Sequence, residues 1–205
     1  MVANAQKKWT VEEYLVFERS SEERHEYWDG LVFQVGHPPK TSTKGVGRRH
    51  SLIVSNLISS LGNQLINNPC EAYAIGMRVK VTPIKYSYPD VSVVYDTPQF
   101  TDDEDNTLLN PTVIIEVLSP STELADRGKK FDAYRELESV QEYVLIEQHE
   151  AGIAHYIRQS GGSWLLSYAT TLQSVIHLPS INCTLLLADI YRKVTFEADS
   201  NSKES

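Results

Sequence analysis

Cysteine is scarce: Cys70 and Cys183 are the two in 205 residues, too few for a disulfide framework and without the paired spacing of a zinc site. They read as small apolar residues or free thiols. Long hydrophobic runs are missing as well, because charged or polar residues interrupt every apolar stretch before it could cross a bilayer, and the opening Met1-Val2-Ala3-Asn4-Ala5-Gln6-Lys7-Lys8 has no secretion-signal core. A cytoplasmic protein with no membrane association is expected. Positive charge is in deficit, with 19 Lys and Arg against 27 Asp and Glu and a net charge of -8. That weakens generic nucleic-acid binding, since affinity for a phosphate backbone comes mainly from cations that release counterions. There is no Gly-x-Ser-x-Gly elbow, no His-Glu-x-x-His helix and no Cys-x-x-Cys pair, and Gly45-Val46-Gly47 lacks the rest of a nucleotide fingerprint.

The length and an apolar fraction of 41% suit one domain with a proper core. We expect it over residues 9–195, between a flexible N-terminal tail (1–8) and a disordered C-terminal tail (196–205). Thr10-Val11-Glu12-Glu13 fits a capping box and predicts a short helix through Tyr14, Leu15 and Phe17. Asp29-Gly30 between two alternating segments predicts a hairpin, with Glu26 just before its turn. Residues 36–47 are rich in turn formers and base. A helix is expected over Arg48–Asn67, with Leu52, Ile53, Leu57, Ile58, Leu61, Leu65 and Ile66 at helical spacing and Ser51, Ser55, Asn56, Asn63 and Gln64 on its polar face. Strands follow over Ala72–Val81, Asp90–Tyr95 and Thr112–Leu118, then a helix over Glu123–Glu138 that Gly128 interrupts early. Short strands over Glu142–Glu147, Ile153–Arg158, Ser163–Ala169 and Ser174–Leu178 come next, and a turn of helix within Leu185–Arg192 closes the chain.

Charge is unevenly spread. Acid gathers at Thr101-Asp102-Asp103-Glu104-Asp105-Asn106, which reads as a solvated loop, and base at Lys40, Lys44, Arg48 and Arg49. Lys44, Arg48, Arg49 and the neighbouring His50 are the candidate contacts to a nucleic-acid backbone, although a lone His near a helix start is more often a surface residue. More informative are two β-branched runs, Val91-Ser92-Val93-Val94 after Tyr88-Pro89-Asp90, and Val113-Ile114-Ile115-Glu116-Val117-Leu118. Each reads as a buried strand, and each carries one carboxylate where an apolar residue is expected. An ionised carboxylate in a core costs several kcal/mol unless a cation compensates it, so Asp90 and Glu116 either share a metal ion or cap a loop or pair with Arg at a strand end. Lys130 lies four residues after Asp126 and four before Tyr134, on one helix face; it reads either as an active-site ammonium or as half of a surface ion pair.

Together these residues resemble the Uma2 family (DUF820) of the PD-(D/E)XK restriction-endonuclease-like superfamily. The resemblance rests on Tyr88-Pro89-Asp90, on Ile114-Ile115-Glu116-Val117-Leu118-Ser119-Pro120-Ser121-Thr122, on Asp126 with Lys130 and Tyr134, and on Arg24-His25-Glu26-Tyr27-Trp28-Asp29-Gly30. It implies an α/β (α+β) restriction-endonuclease-like core, a central mixed β-sheet flanked by helices with an antiparallel C-terminal β extension. It also implies a metal-dependent endonuclease acting on DNA, with magnesium (Mg2+) or manganese (Mn2+) held by Asp90, Glu116 and the backbone of Val117, supported by Glu26. The superfamily's lysine, normally two positions after the second acid, would be replaced here by Lys130, since that position holds Leu118; Lys129 is the competing choice. His25 stands where the family usually has Tyr, and Glu147 where it often has Asp. A homodimer follows by the same resemblance, as enzymes that cut both strands often act as symmetric dimers. The alternative is a catalytically inactive binding or regulatory protein on the same scaffold.

Overall fold

The computed structural model describes residues 7–35, 47–74, 76–101, 106–119 and 122–196. In chain order the elements are α1 (Val11–Ser20), β1 (His25–Trp28), β2 (Leu31–Gln34), α2 (Arg48–Leu65), β3 (Cys70–Ala74), β4 (Arg78–Thr82), β5 (Lys85–Ser87), β6 (Val91–Tyr95), β7 (Thr107–Leu108) and β8 (Val113–Val117). There follow α3 (Glu123–Ala125), a π-helical turn (Asp126–Lys130), α4 (Phe131–Tyr134), β9 (Glu142–Ile146), β10 (Ile153–Arg158), β11 (Trp164–Ala169), β12 (Val175–Leu178), β13 (Cys183–Leu186) and α5 (Leu187–Ile190).

A six-stranded sheet, ordered β11-β10-β9-β8-β6-β3, is antiparallel except where β8 and β9 run parallel. A five-stranded sheet, β2-β1-β5-β4-β7, lies against it, and β12 and β13 form a separate hairpin. This is the expected mixed architecture with an antiparallel C-terminal extension. Strand alternation sorts the larger sheet's two faces. From β8, Val113, Ile115 and Val117 join α2's Ile53, Leu57 and Leu61 in one core, which the C-terminal hairpin and α5 close. Ile114 and Leu118 enter a second core with Val79, Tyr134 and Tyr143. By the same alternation Glu116 belongs to this second face, so its carboxylate is aimed between the two sheets.

The polar face of α2 also bonds. Asn56 Nδ2 donates to the carbonyls of Ile190 and Arg192, both at 2.9 Å, and Gln64 exchanges 2.8 Å bonds with the backbone of Thr184, which fastens the C-terminal hairpin to the helix. At the N-terminus the capping box forms, with Thr10 Oγ1 accepting from Glu13 N at 3.1 Å and Thr10 N donating to Glu13 Oε2 at 2.8 Å. Asp29 (φ 52°) and Gly30 (φ 91°) turn the β1–β2 hairpin with the positive φ pair that such two-residue turns need.

Two expected elements are corrected. The single strand over Ala72–Val81 is two strands in different sheets, because the backbone turns at Gly76, whose φ is +132° and whose missing side chain makes room for the Arg24 guanidinium, 2.8 Å from where a Cβ would sit. The helix over Glu123–Glu138 is shorter and irregular: α3, a π turn and α4 end at Tyr134. Strands β5, β7 and β13 were not anticipated. The expected acidic loop at 102–105 and tail residues 1–6 and 197–205 lie outside the described residues.

Truncating Leu57 to Ala is expected to cost about 2–5 kcal/mol, because it opens a cavity between α2 and the sheet. Val16→Ala, at a position 66% exposed, should stay within about 0.5 kcal/mol. Urea unfolding reads both, and equal losses would contradict this placement of the core.

Candidate active site

Three segments far apart in sequence bring carboxylates to one ammonium. Lys130 Nζ lies 3.1 Å from Glu116 Oε1 on β8, 3.2 Å from Glu26 Oε1 on β1 and 3.1 Å from Asp126 Oδ1 in its own π turn. Lys130 is 8% exposed and Glu116 4%. Lys129, its competitor in the sequence, is exposed. The π turn delivers the residue: Asp126 and Lys130 remain paired within it, and the turn is tied to the sheet by the Tyr143 hydroxyl, which donates to the Asp126 carbonyl at 2.9 Å. Single π turns of this kind occur frequently at functional sites.

Asp90 sits one residue before β6, beside Glu116, continuing the antiparallel pairing that sets Val91 opposite Ile115. Each strand's backbone grips the other's carboxylate: Val117 N donates to Asp90 Oδ2 at 2.8 Å, and Asp90 N donates to Glu116 Oε2 at 3.3 Å. His50 Nε2 also reaches Asp90 Oδ2, at 3.1 Å, while its buried Nδ1 has no partner. Glu26 is held from the second sheet. Its Oε1 accepts from Ser87 Oγ at 2.6 Å and Tyr88 N at 3.3 Å, and its Oε2 from Trp28 Nε1 at 3.2 Å.

Glu26, Asp90, Glu116 and Lys130 are therefore brought together, and the Val117 amide serves the same place. The basic cluster is not assembled around them. Arg48 is exposed at the start of α2; Arg49 donates through Nε to the Thr195 carbonyl at 3.0 Å and lies 3.3 Å from His149 Nδ1; Lys44 is outside the described residues. His50, grouped with them in the sequence, turns to the acids instead. Glu147 pairs with Arg127 and stands apart from this cluster. Asp126 was legible as a partner of Lys130 through its spacing, but not as one of the acids around it. Ser87 and Tyr88 carried no signal of their contact with Glu26.

Burial raises the Glu116 carboxyl well above the usual glutamate range; Lys130 opposes this, and the neighbouring Asp126, Asp90 and Glu26 add to it. Burial raises Asp126 as well. For Lys130, burial alone acts downward, but the charges of Glu116, Glu26 and Asp126 outweigh it and hold the ammonium well above an ordinary lysine. Four carboxyl groups thus face one lysine and one histidine, more acids than cations. Among the described residues no group of three or more His, Cys, Asp or Glu is already set around a metal position. Clustered carboxyl oxygens nevertheless suit a hard divalent cation, which would displace the protons that burial favours on them, and on that chemistry the residues fit magnesium or manganese.

The sign of the pH dependence follows from the raised acids. Between their ordinary range near 4.5 and their raised folded values, the folded protein holds more protons than the unfolded chain, so stability falls as pH rises. Lys130 contributes no slope until pH passes its unfolded value near 10.5. In the presence of a chelator, the thermal midpoint is expected to drop as pH rises above the ordinary glutamate value of 4.5, with a shallower drop in Glu116→Gln. An identical slope in that variant would show that the buried acid is not its source.

Comparison with known proteins gives the family. Residues 11–188 match the family Uma2, described as "Putative restriction endonuclease". Two relatives come from Synechocystis: "Uncharacterized protein slr1290" is 32% identical over 196 residues, covering 92% of this chain and 94% of the relative. "Uncharacterized protein sll1609" is 32% identical over 168 residues, covering 82% and 90%. A crystal structure from Anabaena variabilis, described as a putative nuclease belonging to DUF820, superposes with a TM-score of 0.69 over 89% of this chain and 97% of that one; at 19% identity it bears on the fold alone. With the family matched over most of its length, and relatives that align along nearly all of theirs, this chain belongs to the Uma2 family.

Proposed function

We propose that this protein is a divalent-metal-dependent endonuclease that hydrolyses DNA phosphodiester bonds, with Asp90 and Glu116 as the metal-holding acids and Lys130 as the catalytic ammonium. The observation that carries the reading is the convergence of Glu26, Glu116 and Asp126 on Lys130 Nζ, with Asp90 locked to Glu116 by reciprocal backbone bonds. Magnesium or manganese bound there would acidify a water and offset charge on a phosphate oxygen.

The protein's own groups account for the rest. The Val117 amide and His50 fix the orientation of Asp90, and burial between the sheets keeps Glu116 largely out of water. Lys130, kept charged by its three carboxylates, presents a cation that steadies the negative charge growing on the scissile phosphate; a fixed ammonium in a site shielded from water does this with little reorganisation. Asp126 and Glu26 position the amine. The acidic total charge implies that substrate is held by local contacts, for which exposed Arg48 is available, rather than by a broad basic surface.

Nicking of supercoiled plasmid should require magnesium or manganese and disappear in Asp90→Ala. Lys130→Met is expected to slow it by about 100-fold or more, and Asp126→Asn by less. Intact plasmid with every divalent ion, together with unchanged folding, would favour the inactive binding protein; cleavage that survives Asp90→Ala would reject this site.

A further inference from the structure

The longest stretch of the chain without charge coincides with an open sheet edge. From Gln159 to Ala188 there is no Asp, Glu, Lys or Arg, in a protein whose net charge is -8. Within that stretch β11 is the outermost strand of the six-stranded sheet, and among the described residues nothing pairs with its free side. It exposes large apolar side chains on both faces, Leu165 at 55%, Leu166 at 38% and Tyr168 at 67%. Edge strands of proteins that remain monomeric are ordinarily guarded by charge, proline or a bulge, because unpaired backbone groups beside apolar side chains recruit other strands. The opposite edge of the same sheet, β3, carries Glu71 and packs beside α2. β11 has no such guard.

We propose that β11 is the surface on which two copies of this chain associate, the two edge strands pairing antiparallel about a two-fold axis. The charge distribution selects the occupant. Two acidic molecules repel over most of their surfaces, and an uncharged strip lets identical copies approach with least repulsion while an isologous contact matches each apolar side chain with its own kind. Pairing satisfies the free amides and carbonyls of both strands. Leu166 and Tyr168 share the face of Trp164, whose ring is 5.4 Å from Phe131, the residue directly after Lys130. A partner seated on β11 therefore abuts the segment that carries the lysine.

The test is the mass of the full chain in solution, by light scattering or sedimentation over a concentration series. The wild type should rise from 23.2 kDa to twice that value, and added salt should tighten the association by screening the acidic repulsion. The double variant Leu166→Lys with Tyr168→Lys should remain at the lower mass with its circular dichroism unchanged, whereas Val16→Lys, elsewhere on the surface, should behave as wild type. If the double variant does not fold, hydrogen exchange on the wild type decides: β11 amides should exchange more slowly at high concentration than at low. A wild type that stays at 23.2 kDa throughout, a folded double variant that still dimerises, or β11 amides indifferent to concentration would each overturn the proposal.

Discussion

The ammonium of Lys130 among buried carboxylates is the constraint on which this structure turns. A charge taken out of water costs several kcal/mol, and mutual attraction offsets that only where geometry and additional hydrogen bonds are good. Here three acids lie within 3.2 Å of one nitrogen, and removing the nitrogen would leave them to repel each other in a place that water scarcely enters. Such a cluster is not the cheapest way to hold two sheets together, since replacing buried ion pairs by well-packed apolar residues is often neutral or stabilising. What the arrangement supplies is a cation whose position is dictated from several directions at once.

That position depends on elements with little else in common. β8 carries Glu116 towards the second sheet because its neighbours Ile114 and Leu118 face the same way. β1 brings Glu26 from a short hairpin, steadied by Ser87 on β5. The π turn raises Asp126 and Lys130 together from between two short helical pieces, and Tyr143 on β9 clasps its backbone. Asp90 joins through the backbone of β8, and His50 through the first turn of α2. The smaller sheet thus does more than cover a face: it supplies one of the acids, and without it Lys130 would have only Glu116 and Asp126.

Much of this was legible in the residues because burial conflicts with charge. Glu116 inside Val-Ile-Ile-Glu-Val stands out since nothing but function or an ion pair keeps a carboxylate there, and the Asp29-Gly30 turn and the Thr10 capping box are local chemistry that tertiary packing had no reason to override. The break at Gly76 was hidden because the residues on both sides are strand formers, and what separates them is the switch from one sheet to the other. The π turn was equally hidden: Asp126, Lys130 and Tyr134 have helical spacing, and only the end of the helix at Tyr134 and its anchor on Tyr143 reveal the irregularity. His50 was grouped with Arg48 and Arg49 by adjacency, yet successive helix residues point about 100° apart, and that rotation separates the residue on Asp90 from the arginine bonded to Thr195. Asp126 illustrates the same limit, since a spacing of four identifies a partner but not the third and fourth members of a cluster.

The central claim is that these acids form a site for a catalytic cation rather than a self-contained ionic knot. The most direct measurement is an anomalous difference map from crystals grown with manganese. A single strong peak is expected within coordination distance of Asp90 and Glu116, with Lys130 still beside Glu116. A map without a peak there at saturating manganese, or with its only peak at another part of the surface, would contradict it.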